Sequence, residues 1–96
     1  MAEGYKNKTL FERTSNGVTV DLSSTDYDSY SISSNKTGYI PLIAYVSVGN
    51  WGEWVSYNAN YTYSNGAVSV TGNVHKNASS VAAKPYLSLQ VLWMKE

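Results

Sequence analysis

Apolar residues recur at every second position in several stretches of the chain, and no stretch shows the three-to-four-residue spacing of an amphipathic helix. The clearest case lies near the C-terminus, where Leu87, Leu89, Val91 and Trp93 share one face of the pattern. A period of two is the side-chain period of a β-strand. The repetition of this pattern along the chain therefore predicts an all-β protein.

About seven short strands are predicted, separated by turn-forming residues. They lie near residues 9–12, 18–22, 27–33, 40–48, 53–63, 67–71 and 87–94. Asn16-Gly17 and Ser64-Asn65-Gly66 give turn signals, the second of them typical of a hairpin. The connections are too short for parallel crossovers. This pattern favours an antiparallel β-sandwich, jelly-roll-like in form.

A length of 96 residues is enough for one domain. Residues 16–96 are expected to form a single β-sandwich domain, with residues 1–15 as an N-terminal leader or an edge strand. The strands near 40–48 and 87–94 are apolar on both faces, which is typical of strands in the middle of a sheet.

Charge and cysteine content exclude several classes of protein. The formal net charge is zero, charged residues make up 15% of the chain, and there is no cysteine. A nucleic-acid-binding protein carries a basic excess or stripe, so nucleic acid is not expected as a partner. The longest apolar run, residues 40–48, is too short to span a membrane, so insertion into a membrane is not expected. Neither a disulfide nor a thiolate zinc site can form. The start of the chain lacks the pattern of a signal peptide, so export by lysis or a trimmed boundary is expected.

No arrangement of residues typical of an active site is present, and the chain is not expected to be an enzyme. His75 is the single histidine and has no partner motif, so a surface or loop position is expected. Asp21, Asp26 and Asp28 do not match a calcium-binding loop and are interpreted as turn residues. Glu53 has no second acid nearby in sequence. No catalytic residue, cofactor or metal is therefore predicted.

Aromatic residues are the most distinctive feature, with nine Tyr, three Trp and one Phe. Asn50, Trp51 and Trp54 surround a glycine loop and are the candidate ligand contacts, because exposed rings stack on sugars while amides bind hydroxyl groups. A loop tryptophan can equally cover the edge of a core. Strict alternation places Tyr57 and Tyr61 on the same face of the predicted strand as Val55. They are therefore expected in the core or at a subunit interface.

Two segments resemble a known family. Residues 36–45, KTGYIPLIAY, and the ending AAK followed by LQVLWMK at residues 89–95 resemble the C-terminal domains of phage tail fibres and minor structural proteins from phages of gut Firmicutes. The resemblance extends over residues 18–95. The chain departs from the family in having Trp93 where tyrosine is usual, and in having Trp51 and Trp54 in the loop.

The resemblance implies a receptor-binding tip domain on a virion tail, outside the cell, that assembles as a homotrimer and contacts host cell-surface glycans. It brings no catalytic residue. Two other interpretations remain open. One is a carbohydrate-binding module or lectin-like domain of a bacterial extracellular protein. The other is a structural spacer without a ligand.

Overall fold

A computed structural model of the chain describes residues 10–22, 27–49, 54–76 and 84–96. These residues form six β-strands, all of them antiparallel to their neighbours. The strands are β1 (Phe11–Thr19), β2 (Tyr27–Asn35), β3 (Tyr39–Val48), β4 (Trp54–Ser64), β5 (Ala67–Lys76) and β6 (Tyr86–Lys95). Within this part of the chain, no helix has the length and apolar character that crossing a membrane requires.

The strands form two three-stranded sheets that share one core. Sheet A has the order β1-β6-β3, and sheet B has the order β2-β5-β4. The inner faces of both sheets supply the core, which includes Val20, Leu22, Tyr30, Ile32, Trp54, Val68, Val70, Val74, Leu87, Leu89, Val91 and Trp93. The all-β prediction is confirmed in this sandwich-like arrangement of two sheets.

The number of strands is six rather than seven because Asn16-Gly17 is not a turn. Both residues lie inside β1, paired with Leu89 and Ser88 of β6. The Tyr86 ring occupies the space that a side chain at position 17 would fill, so Gly17 allows a close approach of this ring and does not mark a bend. The expected boundary after residue 15 also falls within β1, which is continuous across it.

The C-terminal strand β6 lies in the middle of sheet A, as predicted. The matching prediction for β3 is wrong, because among the described strands β3 pairs with β6 alone and is an edge strand. Pro41 and an irregularity in register between Pro41 and Ile43 interrupt β3. Proline and bulges are typical of edge strands, where they discourage pairing with another chain.

Two tight turns meet at one end of the molecule and bond to each other. Gly38 and Gly66 both have positive φ angles, 87° and 77°, which glycine adopts without steric penalty. The Lys36 N–H donates to Gly66 O at 2.9 Å, and the Gly66 N–H donates to Tyr39 O at 2.8 Å. The predicted hairpin at residues 64–66 is confirmed, and these bonds tie it to the turn between β2 and β3.

A chain of polar side chains crosses the core between the two sheets. The Trp93 indole Nε1–H donates to Thr14 Oγ1 at 2.8 Å, and Thr14 Oγ1 lies 3.0 Å from Ser34 Oγ. Trp93 and Ser34 are 0% and 2% exposed. A buried polar group without a partner lowers the stability of the fold. These hydrogen bonds therefore favour the observed orientation of the two sheets.

Charged residues form a hydrogen bond, an ion pair and cation–π contacts at the end of the molecule where the two turns lie. Tyr39 Oη donates to Glu12 Oε2 at 2.5 Å, and Lys36 Nζ lies 3.0 Å from Glu12 Oε1. The ammonium groups of Lys36 and Lys95 lie 4.6 and 5.4 Å from the centre of the Tyr39 ring. The hydrogen bond from Tyr39, followed by that from Lys36, lowers the pKa of Glu12 below its usual value of 4.5.

Acid is expected to weaken the fold through Glu12. A carboxyl group whose folded pKa is lowered stabilises the fold above its unfolded pKa, and this stabilisation is lost as the pH falls through the folded pKa. Glu12→Gln should therefore unfold at a lower temperature than the wild type at pH 7, with the difference shrinking below pH 4.5. Thermal unfolding followed by circular dichroism from pH 7 to pH 3 tests this. A difference that stays constant over this range would contradict it.

Candidate functional site

The outer face of sheet B is polar and carries no formal charge in the described residues. Residues paired across antiparallel strands point to the same side of a sheet, so the register identifies this face. Its positions on β2 are Tyr27, Ser29, Ser31, Ser33 and Asn35; on β5 they are Ala67, Ser69, Thr71, Asn73 and His75; and on β4 they are Val55, Tyr57, Asn60, Thr62 and Ser64. Hydroxyl and amide groups therefore dominate the face.

A β-bulge in β4 shapes this face. Tyr57 pairs with Asn73, and the next pair is Asn60 with Thr71, so β4 contains one extra residue at this point. Asn58 has a φ of +56°, in the left-handed region that asparagine tolerates better than most residues. The Asn60 amide Nδ2–H donates to Asn58 O at 3.1 Å and closes the bulge. A bulge of this kind bends its strand and redirects the side chains beside it.

An open groove of about 540 Å³ lies on this face beside the bulge. Its lining consists of Ser29, Tyr30, Ser31, Asn58, Asn60, Thr71, Gly72 and Asn73. We call this feature the polar groove. Its volume is within the range of small-molecule sites, roughly 300–1,000 Å³. Its hydroxyl and amide groups both donate and accept hydrogen bonds, so it suits a neutral ligand rich in hydroxyl groups.

Three rings stand on the same face next to the polar groove. The Tyr57 ring lies edge-on to the His75 ring, with 5.4 Å between their centres. Tyr27 is the β2 residue directly opposite His75, and its side chain is 62% exposed. Exposed tyrosine rings offer an apolar face and a polar tip to a ligand.

Tyr30 supports the groove from the core side. It lies opposite Gly72, and its hydroxyl group is 2.7 Å from Ser56 Oγ on the far strand β4. Burial raises the pKa of Tyr30, so its hydroxyl group stays protonated at neutral pH and keeps this hydrogen bond. The bond therefore links β2 to β4 across the central strand β5, beneath the groove.

The ligand contacts predicted from sequence do not form this groove. Asn50 and Trp51 lie outside the described residues. Trp54 is 3% exposed and belongs to the core, so its ring offers no face to a ligand, and its assignment as a contact is corrected. Trp54 is the first residue of β4 and packs in the core, while the alternative that the loop residue Trp51 covers a core edge stays a prediction.

Tyr57 and Tyr61 do not share a face, because the bulge between them changes the alternation. Tyr57 points outward beside the polar groove, whereas Tyr61 pairs with the buried Val70 and points inward. Tyr61 Oη accepts a hydrogen bond from the backbone N–H of Val46 at 3.0 Å, and so joins sheet B to the edge strand of sheet A. The prediction that Tyr57 and Tyr61 share a face is therefore wrong. Tyr61 packs against the core, which is one of the two expected positions, and an interface role for Tyr57 stays a prediction.

The acid and histidine positions form no metal site in the part of the chain that is described. His75 lies within β5 and not in a loop, and its Nδ1 is 2.7 Å from the backbone oxygen of Lys76. The interpretation of Asp28 as a turn residue is wrong, because Asp28 lies within β2 and pairs with Val74. Its carboxylate accepts a hydrogen bond from the Ser29 N–H at 2.8 Å. Asp26 and Glu53 lie outside the described residues.

The sequence does contain signals of the groove. Ser29, Ser31 and Ser33 alternate with core residues along β2, which is the pattern of a polar outer face. Gly72-Asn73 reads as a loop from composition, but both residues lie within β5. Reading them as a strand would have placed Asn73 beside these serines.

Comparisons with models of known protein families, with curated proteins and with solved structures find no match.

Proposed function

We propose that this chain is a non-catalytic attachment domain of a phage or prophage tail, which binds neutral glycans on the host cell surface through the polar groove. The observation that supports this proposal most directly is the charge-free outer face of sheet B, with Asn58, Asn60 and Asn73 around one groove. Sugars without charged groups present hydroxyl groups and apolar ring faces. Amide and hydroxyl side chains complement the former, and the Tyr27 and Tyr57 rings complement the latter.

The proposal extends to the fold and to the location. The first strand pairs with the last, and the second pairs with the fifth, which is the nested pairing of a jelly roll. We therefore propose a reduced, six-stranded jelly roll. The resemblance of residues 36–45 and 82–95 to phage tail domains supports a place on a virion tail, outside the cell. It also supports assembly as a homotrimer, in which several weak sites act together.

Glycan binding is expected to depend on the amide groups of the groove. Asn73→Ala removes hydrogen-bonding groups from the central strand and should weaken affinity roughly threefold to tenfold. Asn35→Ala is the matched control, because Asn35 lies on the same outer face at its far end and does not line the groove. Binding of the fluorescently labelled full chain to an array of neutral and acidic glycans measures the effect.

The expected result is retention on neutral glycans, reduced by Asn73→Ala and unchanged by Asn35→Ala. Equal loss in both variants would contradict a role for the groove. Absence of binding to every glycan on the array and to intact Gram-positive cells would contradict the attachment function itself, and would favour a structural spacer.

A carbohydrate-binding module or lectin-like domain of a bacterial extracellular protein is the second candidate. It is favoured by the exposed ring of Tyr27 and the half-exposed ring of Tyr57 beside the polar groove, since aromatic rings next to hydroxyl and amide groups suit a sugar. That protein would be a monomer that binds an isolated polysaccharide such as chitin, xylan or cellulose. The tail domain would bind whole host cells and would do so as an oligomer.

A further inference from the structure

The floor of the polar groove is formed by the backbone of sheet B. Tyr30 and Gly72 line the groove, but the Tyr30 side chain is buried, and a side chain at position 72 would meet the Tyr30 ring. Both residues therefore face the groove with their backbone. The side chains of Ser29, Ser31 and Thr71 are short and leave this floor within reach of a ligand. The groove is thus an open trough and not an enclosure around one terminal sugar ring.

The polar groove crosses the full width of sheet B. Its lining comes from β2, β5 and β4, and β2 and β4 are the two edges of this sheet. Neighbouring strands are about 4.8 Å apart, so the groove extends about 10 Å across them, roughly the length of two linked sugar rings. Along β2 and β5 it covers only residues 29–31 and 71–73, which is about 7 Å at the usual rise. The long axis of the groove therefore runs across the strands.

A row of three rings runs across the same strands beside the groove. Tyr27 on β2 lies opposite His75 on β5, and the His75 ring lies against the Tyr57 ring of β4. A glycan lying along the strands would run into this row. A glycan lying across the strands keeps its hydroxyl groups on the groove residues and its apolar ring faces beside the row. The rings therefore favour a ligand that follows the long axis of the groove.

The β4 end of the groove presents an amide that is oriented before a ligand binds. The Asn60 Nδ2–H donates to Asn58 O at 3.1 Å, which leaves the Asn60 side-chain oxygen as an acceptor held in one orientation. A group that is already ordered loses less conformational entropy when it binds. Because Asn60 lies on an edge strand, this acceptor serves a sugar at the point where a glycan leaves the sheet.

We propose that the polar groove binds an internal segment of a linear, neutral polysaccharide, which lies across the strands and continues beyond both edges of sheet B. Among the described strands, none pairs with the outer edge of β2 or of β4. This inference rests on the proposed glycan binding and specifies which part of the glycan is recognised. A repeating polysaccharide offers many equivalent segments, so several copies of the domain can bind one chain together.

The dependence of affinity on glycan length tests this inference. The probes are oligosaccharides of one to six units from mannan, xylan, cellulose and chitin, titrated calorimetrically into the full chain. Affinity should rise about tenfold or more from one unit to three, as the groove fills, and less than about threefold from three units to six. A methyl cap on either end of the six-unit probe should change affinity less than about twofold, because that end lies beyond the sheet.

Two serine variants assign the binding to the groove. Ser31→Ile places a branched side chain on the groove floor and should weaken binding of the six-unit probe about tenfold. Ser33→Ile is the matched control, because Ser33 is the next outward residue of β2, equally exposed, and does not line the groove. Isoleucine is favoured in strands, and circular dichroism verifies both folds. If Ser31→Ile unfolds, Thr71→Ile on the same floor decides.

The outcomes separate this inference from the proposed function. A single sugar that binds as tightly as the six-unit probe, or binding that is lost on capping one end, would overturn the inference alone, because either result indicates recognition of a chain end. Equal weakening by Ser31→Ile and Ser33→Ile would overturn the groove as the site. Absence of binding to all four sets of oligosaccharides would overturn the inference, and the glycan array would still judge the attachment function.

Discussion

Trp93→Ala is expected to lower the free energy of unfolding by about 3–5 kcal/mol, the cost typical of removing a large buried aromatic side chain. Trp93 is 0% exposed and lies in the central strand of sheet A. Its indole N–H donates to Thr14, which in turn contacts Ser34 of the other sheet. The substitution therefore empties core volume and removes the start of the polar chain between the sheets.

Small domains have total stabilities toward the lower end of about 5–15 kcal/mol, so Trp93→Ala should leave a large unfolded fraction at 37 °C. Urea unfolding followed by far-ultraviolet circular dichroism measures the change. Trp93→Phe is the comparison, since it keeps most of the ring volume and removes the N–H; it should lose about 1–2 kcal/mol. A loss below about 1 kcal/mol for Trp93→Ala would show that the two sheets are not packed around this side chain.

Gly72→Ala is expected to destabilise the protein by about 2–3 kcal/mol, in the upper range for overpacking a core. A methyl group at position 72 would lie 2.5 Å from the Tyr30 hydroxyl oxygen and 2.7 Å from the ring carbon that bears it. Tyr30 is 5% exposed and cannot move into solvent. The new methyl group would displace the ring and break its hydrogen bond with Ser56.

Gly17→Ala is the matched control for Gly72→Ala. A methyl group at position 17 also overlaps a tyrosine ring, that of Tyr86, but Tyr86 is 54% exposed. Its ring can rotate into solvent, and alanine is otherwise better than glycine in a strand interior. The free energy of unfolding should therefore change by less than about 1 kcal/mol. Equal losses in the two variants would contradict this distinction between a buried and an exposed tyrosine.

Gly72 also connects stability with the candidate site. Its neighbours on β5, Thr71 and Asn73, line the polar groove, and the bulge of β4 lies opposite it. A displacement of Tyr30 by Gly72→Ala would shift the floor of the groove as well as the core.

The two outer faces differ in chemistry. Sheet B presents amide and hydroxyl groups around Asn73, whereas Phe11, Ile43 and Tyr45 are exposed on sheet A.

Local patterning determined the all-β class, the hairpin at residues 64–66 and the central position of β6. These features depend on the two-residue period of apolar side chains and on the backbone freedom of glycine, and both can be read from neighbouring residues. The sequence also indicated the uncharged character of the groove face, because serine, threonine and asparagine residues recur in β2 and β5.

Tertiary structure alone decided which glycines lie in turns and which lie in strands beneath an aromatic ring. Gly17 and Gly72 lie inside strands, and the rings of Tyr86 and Tyr30, which are distant in sequence, fill the space beside them. The extra residue in β4 placed Tyr57 and Tyr61 on opposite faces, which a strict alternation cannot show. Such contacts depend on strand register and on packing between sheets, so no local pattern could have specified the polar groove.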